Sequence, residues 1–197
     1  MSLDLSDTNL SDEGLKLVSQ LGQLTTLRLS HTPLTDSCVG EIAKLKQLTR
    51  LELDGTRITD AGLKELGTLT NITDLILSNT AITDAGLKEL RNLPGLTVLE
   101  LGGTRVTGVG TKELRHLSRL ETIALWDTPI TDQGLEELSQ LPSLKTLTLS
   151  STPITATGLL KLEKLKCLRT LFITFSPITN ATFEDFKQSR PDLQIIH

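Results

Sequence analysis

The sequence predicts an α/β solenoid: a right-handed horseshoe with a parallel sheet of eight to nine short strands on its concave face and helices on its convex face. Three observations lead there. Apolar residues recur at a fixed step of 24 along the chain. Each unit switches partway from the period of a strand to that of a helix. No single unit could bury its own leucines, so the units must stack and share one core.

The repeat is read directly from the residues. From Leu24 the step reaches Leu48, Ile72, Leu96, Leu120, Leu144 and Leu168. From Leu27 it reaches Leu51, Leu75, Leu99, Ile123, Leu147 and Leu171, and from Leu29 it runs on to Ile173. Another series runs Leu34, Ile58, Ile82, Val106, Ile130, Ile154 and Ile178. Stepping backwards gives Leu3, Leu5 and Leu10, hence eight units of 24 residues in one domain, 1–197. Strands are expected to start near residues 3, 26, 50, 74, 98, 122, 146 and 170, with a C-terminal cap over 181–197.

Within a unit, Leu48-Thr49-Arg50-Leu51-Glu52-Leu53 contains the alternation of a strand. After a turn, Thr59-Asp60-Ala61-Gly62-Leu63-Lys64-Glu65-Leu66 spaces its apolar residues as a helix does. Thr59 suits the N-cap, whose side chain accepts a backbone N–H bond, and Asp60 complements the helix dipole. Ser11-Asp12, Thr35-Asp36, Thr83-Asp84 and Thr131-Asp132 repeat the device. Glycine recurs at 14, 62, 86, 110, 134 and 158, with Cys38 and Thr182 breaking the series. A helical glycine loses about 1 kcal/mol against alanine, so close packing against a neighbouring repeat is the expected reason.

The resulting pattern, Leu-x-x-Leu-x-Leu-x-x-Thr-x-Ile-Thr-Asp-x-Gly-Leu-x-x-Leu-x-x-Leu, resembles the cysteine-containing class of leucine-rich repeats, familiar from F-box substrate receptors and with many bacterial relatives. The chain departs from that class where Asn or Cys usually stands, with Thr32, Thr56, Thr80, Thr104, Thr128, Thr152 and Ser176. These hydroxyls are expected to form a buried ladder to the backbone of neighbouring turns. The resemblance spans practically the whole chain. It implies an architecture and a non-catalytic interaction module rather than a particular ligand.

Composition narrows the function further. A net charge of −4 argues against nucleic acid as a partner, and no apolar run is long enough for membrane insertion. The start lacks the basic and apolar regions of a signal peptide. Cys38 and Cys167 lie six repeats apart, roughly 29 Å at about 4.8 Å per strand, which is beyond disulfide reach. Two unpaired thiols favour the cytoplasm slightly and leave the compartment open. His31, His116 and His197 fall on different features of different repeats, and no nucleophile or phosphate-loop motif is present. The chain therefore reads as no enzyme, with no cofactor and no metal. A calcium site built from Glu52, Asp54, Asp74 and Glu100 lacks the oxygen-rich loop of such sites.

At the N-terminus a strand begins almost at Met1 without a capping segment. This implies a piece of a longer protein or self-association through that edge. At the other end Phe183 and Phe186 replace repeat leucines, and the strand pattern restarts one residue late at Leu193. The last edge there also stays open to strand pairing.

The expected binding surface is the concave sheet face. Counting the first leucine of a unit as one, positions three, five and seven point away from the core and position eight lies at the rim. Folding through apolar burial is indifferent to these places. Arg28, Arg50, Glu52, Asp54, Asp74 and Glu100 form a charged, mostly acidic stripe in repeats two to five. Trp126 with its rim neighbour Asp127, Phe172 and Phe175 mark repeats six to eight, with small Thr148 between them. Trp126 and Phe172 should stand roughly 12 Å apart as the walls of a shallow notch. The expected partner is a protein or peptide anchored by the aromatic residues and steered by the stripe. The alternatives are a structural spacer in a larger protein and a carbohydrate or small-ligand receptor.

Overall fold

The computed structural model describes residues 1–197. Nine three-residue strands form one parallel sheet in chain order: β1 Ser2–Asp4, β2 Thr26–Arg28, β3 Arg50–Glu52, β4 Asp74–Ile76, β5 Val98–Glu100, β6 Thr122–Ala124, β7 Thr146–Thr148, β8 Thr170–Phe172 and β9 Gln194–Ile196. Every pairing joins residues 24 apart, from Ser2 with Thr26 to Thr170 with Gln194. The one-residue delay at Leu193 therefore does not shift the ninth strand. Asp192 stands where the first leucine of a repeat belongs, Leu193 follows it, and β9 keeps the register of the other pairs.

Parallel neighbours need a crossover, and each crossover here is a short helical segment. Helices span Asp12–Val18, Val39–Ile42, Asp60–Leu66, Asp132–Leu138, Ala156–Lys161 and Asn180–Ser189. In repeats four and five the crossover tightens to 3₁₀ turns over Leu87–Asn92 and Gly110–His116. A helix is about 10 Å wide and strands sit about 4.8 Å apart, so stacking curves the chain with the sheet inside. None of these helices is long and apolar enough to cross a membrane.

The core is one continuous column of fifty buried side chains, nearly all leucine and isoleucine, running from Leu15 to Leu193. It is closed at the C-terminal end by Phe183 and Phe186 and by a residue that periodicity does not single out. Arg190 is buried, and its guanidinium donates to the carbonyls of Leu165 (3.1 Å) and Leu168 (3.0 Å) and to both carboxylate oxygens of Asp192. It thereby ties down the orphan carbonyls of the preceding crossover. At the other end Leu3, Leu5 and Leu10 are only partly buried and Leu17 is exposed.

The threonine row is buried, but its bonds run differently from the expected ladder. Thr32, Thr56, Thr80, Thr104, Thr128 and Thr152 each donate to the carbonyl three residues earlier in the same repeat, at 2.6–2.7 Å. The hydroxyl closes its own turn and does not reach the next one. Ser176 ends the row with its hydroxyl buried and unpartnered.

The link between repeats is made by aspartate instead. Asp36 accepts the backbone N–H of Thr59 at 2.8 Å and its hydroxyl at 2.6 Å; Asp60 holds Thr83 and Asp132 holds Thr155 in the same way. Asp12 and Asp84 repeat the clamp on Thr35 and Thr107. The recurring glycine makes room for it: a Cβ at Gly62 would lie 2.5 Å from Asp36 Oδ1 and 2.8 Å from Ile58 Cγ2. Threonine, aspartate and glycine are one device, in which the aspartate does more than complement a dipole.

Candidate functional site

Parallel pairing in constant register lays equivalent positions side by side across the sheet. Position five forms the row Arg28, Glu52, Ile76, Glu100, Ala124, Thr148, Phe172. Two residues further along, position seven contributes Ser30, Asp54, Ser78, Gly102 and Trp126. Between these rows lies a recess of about 360 Å³, lined among others by Arg50, Glu52, Asp54, Ile76, Ser78, Glu100 and Trp126. It spans repeats two to six.

The charged stripe is a network rather than a bare acidic surface. Arg28 Nε lies 3.0 Å from Glu52 Oε1, and Arg50 bridges Glu52 (2.7 Å) and Asp74 (3.1 Å). His31 Nε2 sits 3.0 Å from Asp54 Oδ2, and Asn79 donates to the other oxygen of Asp54 at 3.3 Å. Two arginines thus face four carboxylates. Glu52 and Asp74 share Arg50 while Asp54 is held by His31 and Asn79, so these carboxylates do not converge with Glu100 on one point as calcium ligands would.

Glu100 is the carboxylate left over, with no ion pair. Burial pushes its carboxyl above the usual range. Arg50 draws it partway back, and the negative charges of Asp54 and Glu52 add to the rise.

Trp126 departs from the notch geometry. Its indole leans back over Gly102: a Cβ on that glycine would overlap the ring at Cε2, Nε1 and Cδ2. The side chain therefore borders the recess together with Ser78 and Glu100 instead of forming a wall opposite Phe172. No cavity is lined by Phe172, Phe175 or Thr148. Thr148 lies half-buried on β7, next to half-buried Phe172 in the position-five row. The Gly102-Gly103 pair gains a reason here, since Gly102 accommodates the indole and Gly103 faces the Asn79 side chain.

Position eight is also less free than apolar patterning suggests. In all eight repeats it adopts the left-handed conformation, with φ between 50° and 65° at Asp7, His31, Gly55, Asn79, Gly103, Asp127, Ser151 and Phe175. Glycine, Asn and Asp tolerate this region, whereas a bulky aromatic is an outlier. Phe175 is that outlier, and it is 89% exposed. Asp127 sits exposed at the same rim, beyond Trp126.

The structure thus gathers Arg50, Glu52, Asp54, Glu100 and Trp126 around one recess, with Arg28 and Asp74 as flanking ion-pair partners. It leaves Phe172, Phe175, Asp127 and Thr148 outside. Sequence reasoning missed Ile76, Ser78, His31 and Asn79 as lining residues. Ile76 was discoverable as the neutral member of a row that is charged on either side, with Ser78 two residues further along the same repeat.

Comparison with known proteins agrees with the fold. A family model described as Leucine Rich repeat matches residues 1–19, 45–67, 68–90 and 140–162. No curated protein matches the sequence. Among solved structures, an internalin (inlF) from Listeria monocytogenes superposes with a TM-score of 0.73 at 24% identity, over 99% of this chain and 60% of its own. Internalin C2 (inlC2) from the same organism gives 0.77 at 24% identity, over 100% of this chain and 79% of its own. The chain spans little more than half the length of the first of these. The fold is that of a leucine-rich-repeat solenoid.

Proposed function

We propose that this leucine-rich-repeat chain is a protein-interaction module that takes a protein or peptide on its concave sheet face. One observation carries the reading. The recurring threonines and aspartates of the turns have structural tasks, while the sheet-face residues differ from repeat to repeat and still assemble a continuous polar recess beside the only tryptophan. The proposed contact residues are Trp126, Glu100, Asp54, Glu52, Arg50, Arg28 and Asp74 around the recess. Phe172, Phe175, Asp127 and Thr148 form a second patch further along the face. The surplus of carboxylates favours a basic partner segment, whose association should weaken with salt. The repeat pattern supports placing the chain with the threonine-bearing variant of the cysteine-containing class.

The test is capture of a partner by the wild type, by Trp126→Ala and Phe172→Ala, and by the convex-face control Lys64→Ala, once circular dichroism shows all are folded. Retention by the control with loss in the sheet-face variants supports the reading. Equal capture by all of them refutes it.

A further inference from the structure

We infer that the recess between β3 and β6 receives a guanidinium group, the side chain of an arginine on the partner. This deepens the proposed function and rests on it. Four features meet in the recess. Its floor is the neutral pair Ile76 and Ser78, from β4 and the residues just after it. On one side stand Glu52 and Asp54, and on the other Glu100 and the indole of Trp126. Glu100 has no cation of its own. Ser78 is only 3% exposed, and its hydroxyl has no hydrogen-bond partner.

An unpartnered buried hydroxyl is unusual, because such groups are nearly always paired in folded proteins. Ser78 therefore marks a place where a hydrogen-bonding group belongs. Glu52 and Asp54 are already engaged by Arg28, Arg50 and His31, so it is Glu100, the recess carboxylate without an ion pair, that favours a positively charged donor there. Burial and the nearby Asp54 and Glu52 hold the Glu100 carboxyl above its usual range, and a cation placed against it would reverse that effect. The flat indole selects the shape of the cation. A guanidinium stacks on an aromatic face while its in-plane N–H groups reach out to acceptors. Stacked beside Trp126, it would direct its fork to Glu100 and a further N–H to Ser78 Oγ. An ammonium is a compact, strongly hydrated point charge and lacks that planar division of labour. Arg28 and Arg50 do not fill the place, since both are engaged at the far side with Glu52 and Asp74.

The chain carries its own reporter, because Trp126 is its only tryptophan and tyrosine is absent. The experiment titrates the full chain with N-acetyl-Gly-Arg-Gly-amide and follows tryptophan emission. Matched peptides carry lysine or the neutral isostere citrulline instead of arginine. The expected result is a saturable change with the arginine peptide in the millimolar range, weakened about tenfold by Glu100→Gln. The lysine peptide should bind several-fold more weakly, and citrulline should give no saturable response. Ser78→Ala, a small change that spares the fold, should also weaken binding and guards against misfolding of the Glu100 variant. A non-saturating response, equal responses to arginine and citrulline, or unaltered binding by both variants overturns the inference, and equal binding of lysine overturns its guanidinium specificity. If partner capture still depends on Trp126 while these titrations fail, the arginine assignment falls and the concave-face reading stands. If both fail, the face itself is not the binding surface.

Discussion

Two strips run the length of this solenoid and follow opposite rules. Along the seam between strand and helix, the same three residues return repeat after repeat: a threonine, an aspartate that clamps the next threonine, and a glycine that clears space for the carboxylate. Along the sheet face, positions five and seven run through arginine, glutamate, isoleucine, serine, glycine and tryptophan, and neither keeps one residue along the stack. Each interface between repeats presents the same stacking problem, so the seam repeats its solution. The face solves no stacking problem, and its variety is free to serve a partner. In a repeat protein, what recurs is architecture, and what fails to recur is where function is to be sought.

The sharpest way to break this contrast is a substitution whose sign differs between an ordinary helix and the seam. In a solvent-exposed helix, glycine to alanine stabilises by about 1 kcal/mol. At Gly62 the added methyl would meet Asp36 Oδ1 at 2.5 Å and Ile58 Cγ2 at 2.8 Å, displacing the carboxylate that holds Thr59. Gly62→Ala is expected to lower stability by about 2 kcal/mol, as overpacking does in a tight core. Chemical denaturation checks it, and a gain in stability would show that the clamp carries no weight.

A subtler test lies where the seam itself lapses. Ala156 stands where the clamp aspartate belongs, and Thr182 stands where the glycine belongs in the following repeat. At Gly62, Gly86 and Gly158 the clamp carboxylate takes the space beside the glycine, and only at Asp12 does the clamp form beside a side chain, Cys38. Ala156→Asp alone should be neutral or destabilising. Combined with Thr182→Gly it should recruit Thr179 and gain about 1 kcal/mol, the net worth of a hydrogen bond. A double-mutant cycle measures the coupling. Additive effects would mean that the two positions act independently.

How much of this was legible in the sequence follows from the same distinction. The step of 24 from Leu24 to Leu168 gives the stack, the parallel sheet and the inward rows, because apolar burial is a property of residue type and spacing. The seam was half legible. Thr59 and Asp60 read as a cap and a dipole partner, but the clamp joins residues 23 apart, and only the stack brings them together. Rotamers were not legible at all. Nothing in the spacing of Trp126 and Phe172 says which way the indole turns, and that choice moved Trp126 from an aromatic notch to the charged recess. Gly102 was the available clue, a side chain absent from a row that elsewhere carries one. Position eight was misread as unconstrained, because its constraint is a backbone dihedral and not a burial pattern.

That constraint makes Phe175 a useful test case. Its left-handed backbone disfavours a bulky L-residue, and its ring gains little from burial at 89% exposure. Phe175→Asn should raise stability by about 0.5–1 kcal/mol, seen as a rise in melting temperature, while partner capture falls. A residue that improves the fold when removed and weakens binding when lost belongs to the face and not the seam. Unchanged stability would show that the turn accepts phenylalanine without strain.

The smallest expected effect separates the two strips by pH alone. On the seam, burial raises the Asp12 carboxyl, but hydrogen bonds from Ser37 and Thr35 outweigh it and hold the group below 3.8. On the face, burial dominates at Glu100 and holds the carboxyl above 4.5. The signs follow by linkage. A group depressed in the folded state contributes stability above its unfolded value, so the Asp12 contribution is lost as pH falls below 3.8. A carboxyl raised in the folded state favours folding when protonated, and that advantage disappears as pH climbs from 4.5 through the raised value. Glu100→Gln should therefore flatten the stability profile just above pH 4.5 and leave neutral stability equal or slightly higher, within about 0.5 kcal/mol. Asp12→Asn should remove stability at neutral pH and flatten the profile below 3.8. Arg50, Glu52 and Asp54 act on Glu100 and are common to both profiles, so the difference between wild type and Glu100→Gln isolates the one carboxyl. Parallel curves for the two Glu100 forms would mean that the carboxylate is held without cost where it stands, and the case for a partner's cation beside it would lose the support of Glu100.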